Sequence, residues 1–186
     1  MRNWDVYATQ IRSLRGRLGF NYSIKFLGYV VELSSGKVYD ILKRVYVRSP
    51  ETLYILLAHY SRVEPIERAR KLIRFADLSG GHAYEAAFMK RAVFPLTKMF
   101  GDKPKILVEA GKILDGVKLT YGDASVEIAA LPKIPLTYIL WQGDQEIQSS
   151  ANILFDASVN NYLPTEDLAV LAELTTSRLQ HTAKRQ

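Results

Sequence analysis

Two sets of residues have the types and spacing to do chemistry. The first is acidic and sits in the last third of the chain. Asp144 follows Gly143 in a turn, Asp156 closes the apolar run "NILF", and Glu166 follows Pro164-Thr165. If strand ends and a helix start converge there, the three carboxylates form a divalent-ion or acid–base cluster. Each acid also has a local structural use. Asp123 and Asp144 suit turns, and Glu166 and Asp167 suit the first turn of a helix, where negative charge meets the positive dipole end. The residue pattern leans to this plainer reading, with Thr165 capping the helix and Glu166 and Asp167 facing its dipole.

The second set lies in "RFADLSGGHAY": Arg74, Ser79, Gly80, Gly81, His82 and Tyr84. Paired glycines allow backbone N–H groups to point outward. A helix starting after them leaves its first N–H groups unpaired and attracts an anion. Arg74 and His82 add positive charge. The plainer alternative is a Gly-Gly turn with an exposed histidine, and Asp77 could supply the negative charge from within. The chain carries neither GxxxxGK[ST] nor GxGxxG. It also has no G-x-S-x-G elbow, H-E-x-x-H helix, zinc finger or RNP-like aromatic motif.

Composition narrows the classes. The chain has no cysteine, which excludes disulfides, thiolate nucleophiles and cysteine-held zinc or iron–sulfur clusters within it. Three histidines, His59, His82 and His181, are too few for a histidine-rich centre. No metal and no cofactor are therefore expected. An apolar fraction of 48% in 186 residues suits one globular domain. The longest apolar runs, "YILLA" and "LAVLA", fall far short of the roughly 20 residues of a membrane span. The start "MRNWDVYATQ" has no signal-peptide h-region, so a cytoplasmic protein without a membrane partner is expected.

Charge is unevenly distributed. Residues 1–48 carry +6, 49–105 carry +4, 106–174 carry −7 and 175–186 carry +3. A basic front suits an acidic partner, a nucleic acid or a small anion, and it suits equally a pair of solvated faces of opposite sign.

These residues must be positioned by an α+β fold: a mainly antiparallel sheet with helices packed on one side. Helical spacing marks residues 4–18, a helix after Ser49-Pro50, segments over 82–100 interrupted by Pro95, a helix opened by Asp102-Lys103-Pro104, and a final helix after Thr165. Alternation marks 20–33, with a bulge or bend expected next to Gly28, then 38–47, 72–78, the hairpin about Gly122-Asp123, "LTYILW" and "NILFDA". Pro132 and Pro135 are expected to bracket a link. "RVEPIERARK" (62–71) is polar and expected to be exposed. One domain is expected over 1–179, with a frayed tail at 180–186.

The blocks "FADLSGG", "PLTKMFGD", "YGDASVEIAALPKIPLTYILWQGDQEI" and "ILFDASVNNYLPTEDLAVLAEL" resemble an uncharacterised family of anaerobic bacteria and archaea, catalogued as a domain of unknown function. The resemblance runs from about Leu27 to Leu174. Some members look fused to an N-terminal four-cysteine iron–sulfur module, which this chain lacks. The resemblance implies a setting in anaerobic metabolism, near corrinoid or iron–sulfur enzymes. The resulting expectation is a non-catalytic module that binds a small anionic ligand or docks a protein partner. The alternatives are a carboxylate- or divalent-metal-dependent enzyme and a basic-surface nucleic-acid-binding protein.

Overall fold

The structure, a computed structural model, describes residues 3–184. Helix α1 (Asn3–Arg12) leads into four short strands, β1 (Ile24–Phe26), β2 (Tyr29–Val31), β3 (Val38–Asp40) and β4 (Val45–Tyr46). Helix α2 (Glu51–Tyr60) and strand β5 (Leu72–Arg74) follow. A short α3 (Glu85–Phe88) passes through a π-helical segment, Met89–Val93, into α4 (Phe94–Phe100). Then come α5 (Pro104–Ile113), β6 (Val117–Lys118), β7 (Ala124–Leu131), β8 (Ile134–Trp141), β9 (Ser150–Asp156) and the long α6 (Thr165–Ala183).

The strands form two antiparallel sheets, ordered β1-β2-β3-β4 and β5-β9-β8-β7-β6. The α+β class therefore holds, with the strands divided between two sheets. In the larger sheet, Val126, Ile128, Leu136, Tyr138, Ile153 and Phe155 are fully buried. Their alternation places them on one face, against which α4, α5 and α6 pack. Gly111 of α5 makes the closest approach: a Cβ there would lie 2.6 Å from Val126 Cγ2. The opposite face carries Glu127, Thr137, Leu154 and Asp156.

Helix α6 also holds the smaller sheet. Arg178 donates to both Asp40 oxygens, at 2.6 and 2.8 Å, and to Leu27 O at 2.9 Å. Its guanidinium stands 4.2 Å from the Tyr29 ring centroid. Burial pushes the Asp40 carboxyl upward, but the Arg178 and Lys43 hydrogen bonds and charges outweigh it and hold the group below the usual carboxylate range.

Several expectations are corrected. The bulge or bend expected next to Gly28 is a two-residue hairpin turn: Phe26 pairs with Tyr29, and Leu27 and Gly28 both have positive φ, 49° and 75°. The strained Leu27 is retained because its side chain is buried and its carbonyl serves Arg178. Pro135 lies inside β8, opposite Ala129, where the ladder shifts register and a missing N–H is accommodated. The first helix stops at Arg12, well before Leu18, and Gly16 and Gly19 take positive φ beyond it. Pro50 and Lys103 occupy the cap positions expected for Ser49 and Asp102, with no side-chain cap at either. Helix α6 runs past residue 180, and Thr182 is buried and donates to Ala110 O. Residues 185–186 of the expected frayed tail lie outside the described residues. Among the described residues, no helix is long and apolar enough to cross a membrane.

Candidate functional site

The three acids of the sequence reading occupy three places. Asp144 lies in the exposed β8–β9 connection, where its Oδ1 accepts from Glu146 N and Ile147 N. Those N–H groups hold its carboxyl below the usual range. Asp156 lies at the other end of β9, about 20 Å along a seven-residue strand. Glu166 lies on α6, in the helical layer. Among the described residues, no group of three or more His, Cys, Asp or Glu is placed to hold a metal ion.

Asp156 anchors a strap. Residues 62–71 have no regular structure, and Arg68, Ala69 and Arg70 bond to Glu127 and Asp156 on the second face of the larger sheet. The fully buried Asp156 carboxylate accepts from Ala69 N at 3.0 Å, Arg70 N at 2.8 Å, and Ser158 N at 3.0 Å, and from the Ser158 hydroxyl. Burial raises this carboxyl, but the Ser158 and strap hydrogen bonds prevail and keep it below the ordinary value. Arg68 adds a bidentate pair to Glu127, at 3.0 and 2.8 Å, and stands 3.8 Å from Asp156. The Glu127 hydrogen bonds raise the Arg68 pKa further. Tyr162 OH accepts from Ile66 N at 3.0 Å and donates to Ile66 O at 2.8 Å.

Strap and sheet border an open cleft of about 420 Å³. Its floor is Glu127 and Thr137, which face each other across β7 and β8. Leu72, Leu119 and the half-exposed Tyr121 form its walls. Arg70 stands at its edge with φ of 54°, a left-handed conformation that costs a non-glycine residue about 1 kcal/mol. Among the described residues, the Arg70 side chain has no hydrogen bond or ion pair. The left-handed backbone and the unpaired guanidinium thus coincide at the edge of the cleft.

The glycine loop is put to internal use. Gly80 has the positive φ expected of it, 73°. Ser79 N donates to Asn160 Oδ1 at 3.0 Å and Gly81 N to Leu78 O at 2.9 Å. A Cβ on Gly81 would lie 2.0 Å from Phe75 O, so packing alone requires glycine there. Arg74 is engaged by Asp77 at 3.3 Å, as that aspartate's position allowed. The segment after the loop, Gly81–Tyr84, is one 3₁₀ turn with His82 and Tyr84 exposed.

Thr165 is not the cap of α6. Pro164 holds that position, and Thr165 turns inward, donating to Ser79 O at 2.7 Å and accepting from Asn160 Nδ2 at 3.1 Å. It therefore tethers the glycine loop to the helix start. Asp167 has a partner as well as a dipole: its Oδ2 lies 2.5 Å from His59 Nδ1 in the last turn of α2. A histidine at one helix C-terminus thus meets a carboxylate at another's N-terminus, which suits both dipoles.

Sequence reasoning missed Arg68, Arg70, Tyr121, Glu127 and Thr137. The one available signal was the charge density of "RVEPIERARK" without helical or strand period.

A family model matches residues 12–178. No curated protein and no solved structure matches the chain. Nearly the whole molecule, strap and cleft included, is thus covered by one family description, and the chain belongs to the family described as a domain of unknown function, DUF3786.

Proposed function

We propose that the protein is a non-catalytic binding or accessory module whose cleft beneath the strap takes a small organic anion, a carboxylate or phosphate with a modest apolar part. The observation that carries this reading is the Arg70 guanidinium. It faces a cleft in which the other arginine, Arg68, is already bound on both terminal nitrogens by Glu127. A free guanidinium binds carboxylate or phosphate through two parallel hydrogen bonds. The Thr137 hydroxyl and the Tyr121 phenol add polar contacts, and Leu72 and Leu119 receive the apolar part. Asp156 makes a poor proton acceptor, because its oxygens already accept four hydrogen bonds. This favours binding over chemistry. The glycine loop has less support as the anion site, since Arg74 is occupied by Asp77.

The family resemblance extends the proposal to an accessory role in the cytoplasm of an anaerobe, beside enzymes whose iron–sulfur or corrinoid groups are their own.

The test is an amide-resolved NMR titration with inorganic phosphate and with benzoate. The expected result is shifts confined to residues 68–72, 119–121 and the part of β8 around Thr137, lost in Arg70→Gln. Shifts spread over all basic surface, or centred on Gly80 and Gly81, overturn the assignment.

A further inference from the structure

We propose that a second site, on the helical side of the molecule, takes a free apolar α-amino acid. It is a groove of about 240 Å³ between the π-helical segment and α6. That volume is below the about 300–1,000 Å³ of sites for drug-sized ligands, so its occupant is small. The site lies on the opposite side of the large sheet from the strap and does not rest on the anion reading.

The α6 wall is one helical stripe. Glu166, Ala169, Val170 and Glu173 follow the i, i+3, i+4, i+7 spacing, so two small apolar residues lie between two carboxylates. The acids are about 10.5 Å apart along the helix axis. The other wall carries Arg91, within the π-helical turn Met89–Val93, above the buried ring of Phe88. π-Helical turns recur at functional sites. Tyr84, half exposed, closes one end.

Three charges thus rim an apolar hollow, and none is neutralised. Among the described residues, Arg91, Glu166 and Glu173 have no hydrogen bond or ion pair from their side chains, to one another or to any other group. A purely anionic ligand meets two carboxylates. A purely cationic one meets Arg91. A neutral apolar ligand strips water from all three charges without replacing it. A zwitterion with an apolar body answers each demand: its carboxylate takes Arg91, its ammonium takes a glutamate, and its side chain rests on Phe88 and Val170. That combination is an apolar α-amino acid.

The test is calorimetric titration of the full chain with L-phenylalanine and L-leucine, alongside phenethylamine and 3-phenylpropionate. The amino acids are expected to bind, with each one-charge analogue, titrated into Arg70→Gly so that 3-phenylpropionate does not report on the strap cleft, weaker by about tenfold, the worth of one charged hydrogen bond. Arg91→Gln and the glutamine variant of one of Glu166 or Glu173 are expected to lose a similar factor. Val170→Trp, at an exposed position that leaves folding intact, is expected to block the groove. Arg70→Gly is expected to leave amino-acid binding unchanged. Absence of binding, equal affinity for phenethylamine, or binding that survives Val170→Trp overturns the proposal. So does loss of binding in Arg70→Gly, which moves the amino acid to the other cleft.

Discussion

Asp156 shows how one side chain settles between two readings. A carboxylate at a strand end can serve a metal or a proton; here it collects backbone N–H groups from a segment with no regular structure of its own. Those N–H groups, on Ala69 and Arg70, have no ladder or helix to join, and they satisfy a carboxylate that is itself fully buried. Replacement by asparagine keeps the size but swaps one acceptor oxygen for a donor and removes the charge. Asp156→Asn is expected to destabilise the fold by about 2–3 kcal/mol, the cost of a charged, buried hydrogen-bond acceptor. Urea denaturation measures that loss. Faster hydrogen exchange at Ala69 and Arg70 than elsewhere locates it, and unchanged protection there contradicts the anchoring role.

Among the elements, the start of α6 and the glycine loop form one unit through Thr165. The hydroxyl that sequence alone assigns to capping bridges Ser79 O and Asn160 instead. Thr165→Ala is expected to cost about 1–2 kcal/mol by removing the bonds this buried hydroxyl makes to Ser79 O and Asn160, and Thr165→Ser to recover most of it. A pure capping role predicts instead that aspartate at this position is tolerated as well as serine; thermal unfolding of the three variants separates the two. The strands and helices themselves were largely readable. Alternation in "SVEIAAL" and the helical stripe of α6 mark the buried side of each, whereas "TYILW" belongs to a central strand buried on both faces up to Trp141. What escaped was of two kinds. Leucine at a position with positive φ hides the turn at Leu27-Gly28, because leucine is not a residue that such a turn selects. The cleft depends on pairs such as Arg68–Glu127, 59 residues apart, which no local period encodes.

One buried pair spans the whole molecule. Arg178 and Asp40 are 138 residues apart and tie the last helix to the small sheet. Their side chains are 2% and 3% exposed, so removing one strands the other's charge. Arg178→Met is expected to cost about 3–5 kcal/mol, whereas the double change with Asp40→Leu recovers much of it. Chemical denaturation of both variants measures the difference, and an equal loss in the two contradicts the pairing argument. The same residues set the acid response. Asp40 and Asp156 are both held below the ordinary carboxylate range in the folded chain. The unfolded chain therefore binds more protons in acid, and the stability these groups contribute is complete above about pH 4 and lost as pH falls through their folded values. A denaturation series from about pH 6 to about pH 2 is expected to show that fall, smaller in Asp156→Asn.

The strap carries Arg62, Arg68, Arg70 and Lys71 against Glu64 and Glu67, and among the described residues the Arg70 side chain has no hydrogen bond or ion pair. The account therefore turns on one substitution. Arg70→Gly relieves a positive φ and removes the guanidinium together, so fold and ligand are expected to respond in opposite directions. Calorimetric titration of benzoate into wild type and Arg70→Gly, with the stability of each measured in the same buffer, tests this. The account predicts stability unchanged or raised by about 1 kcal/mol and affinity lowered by about tenfold or more. Equal affinity in a fully folded Arg70→Gly contradicts it.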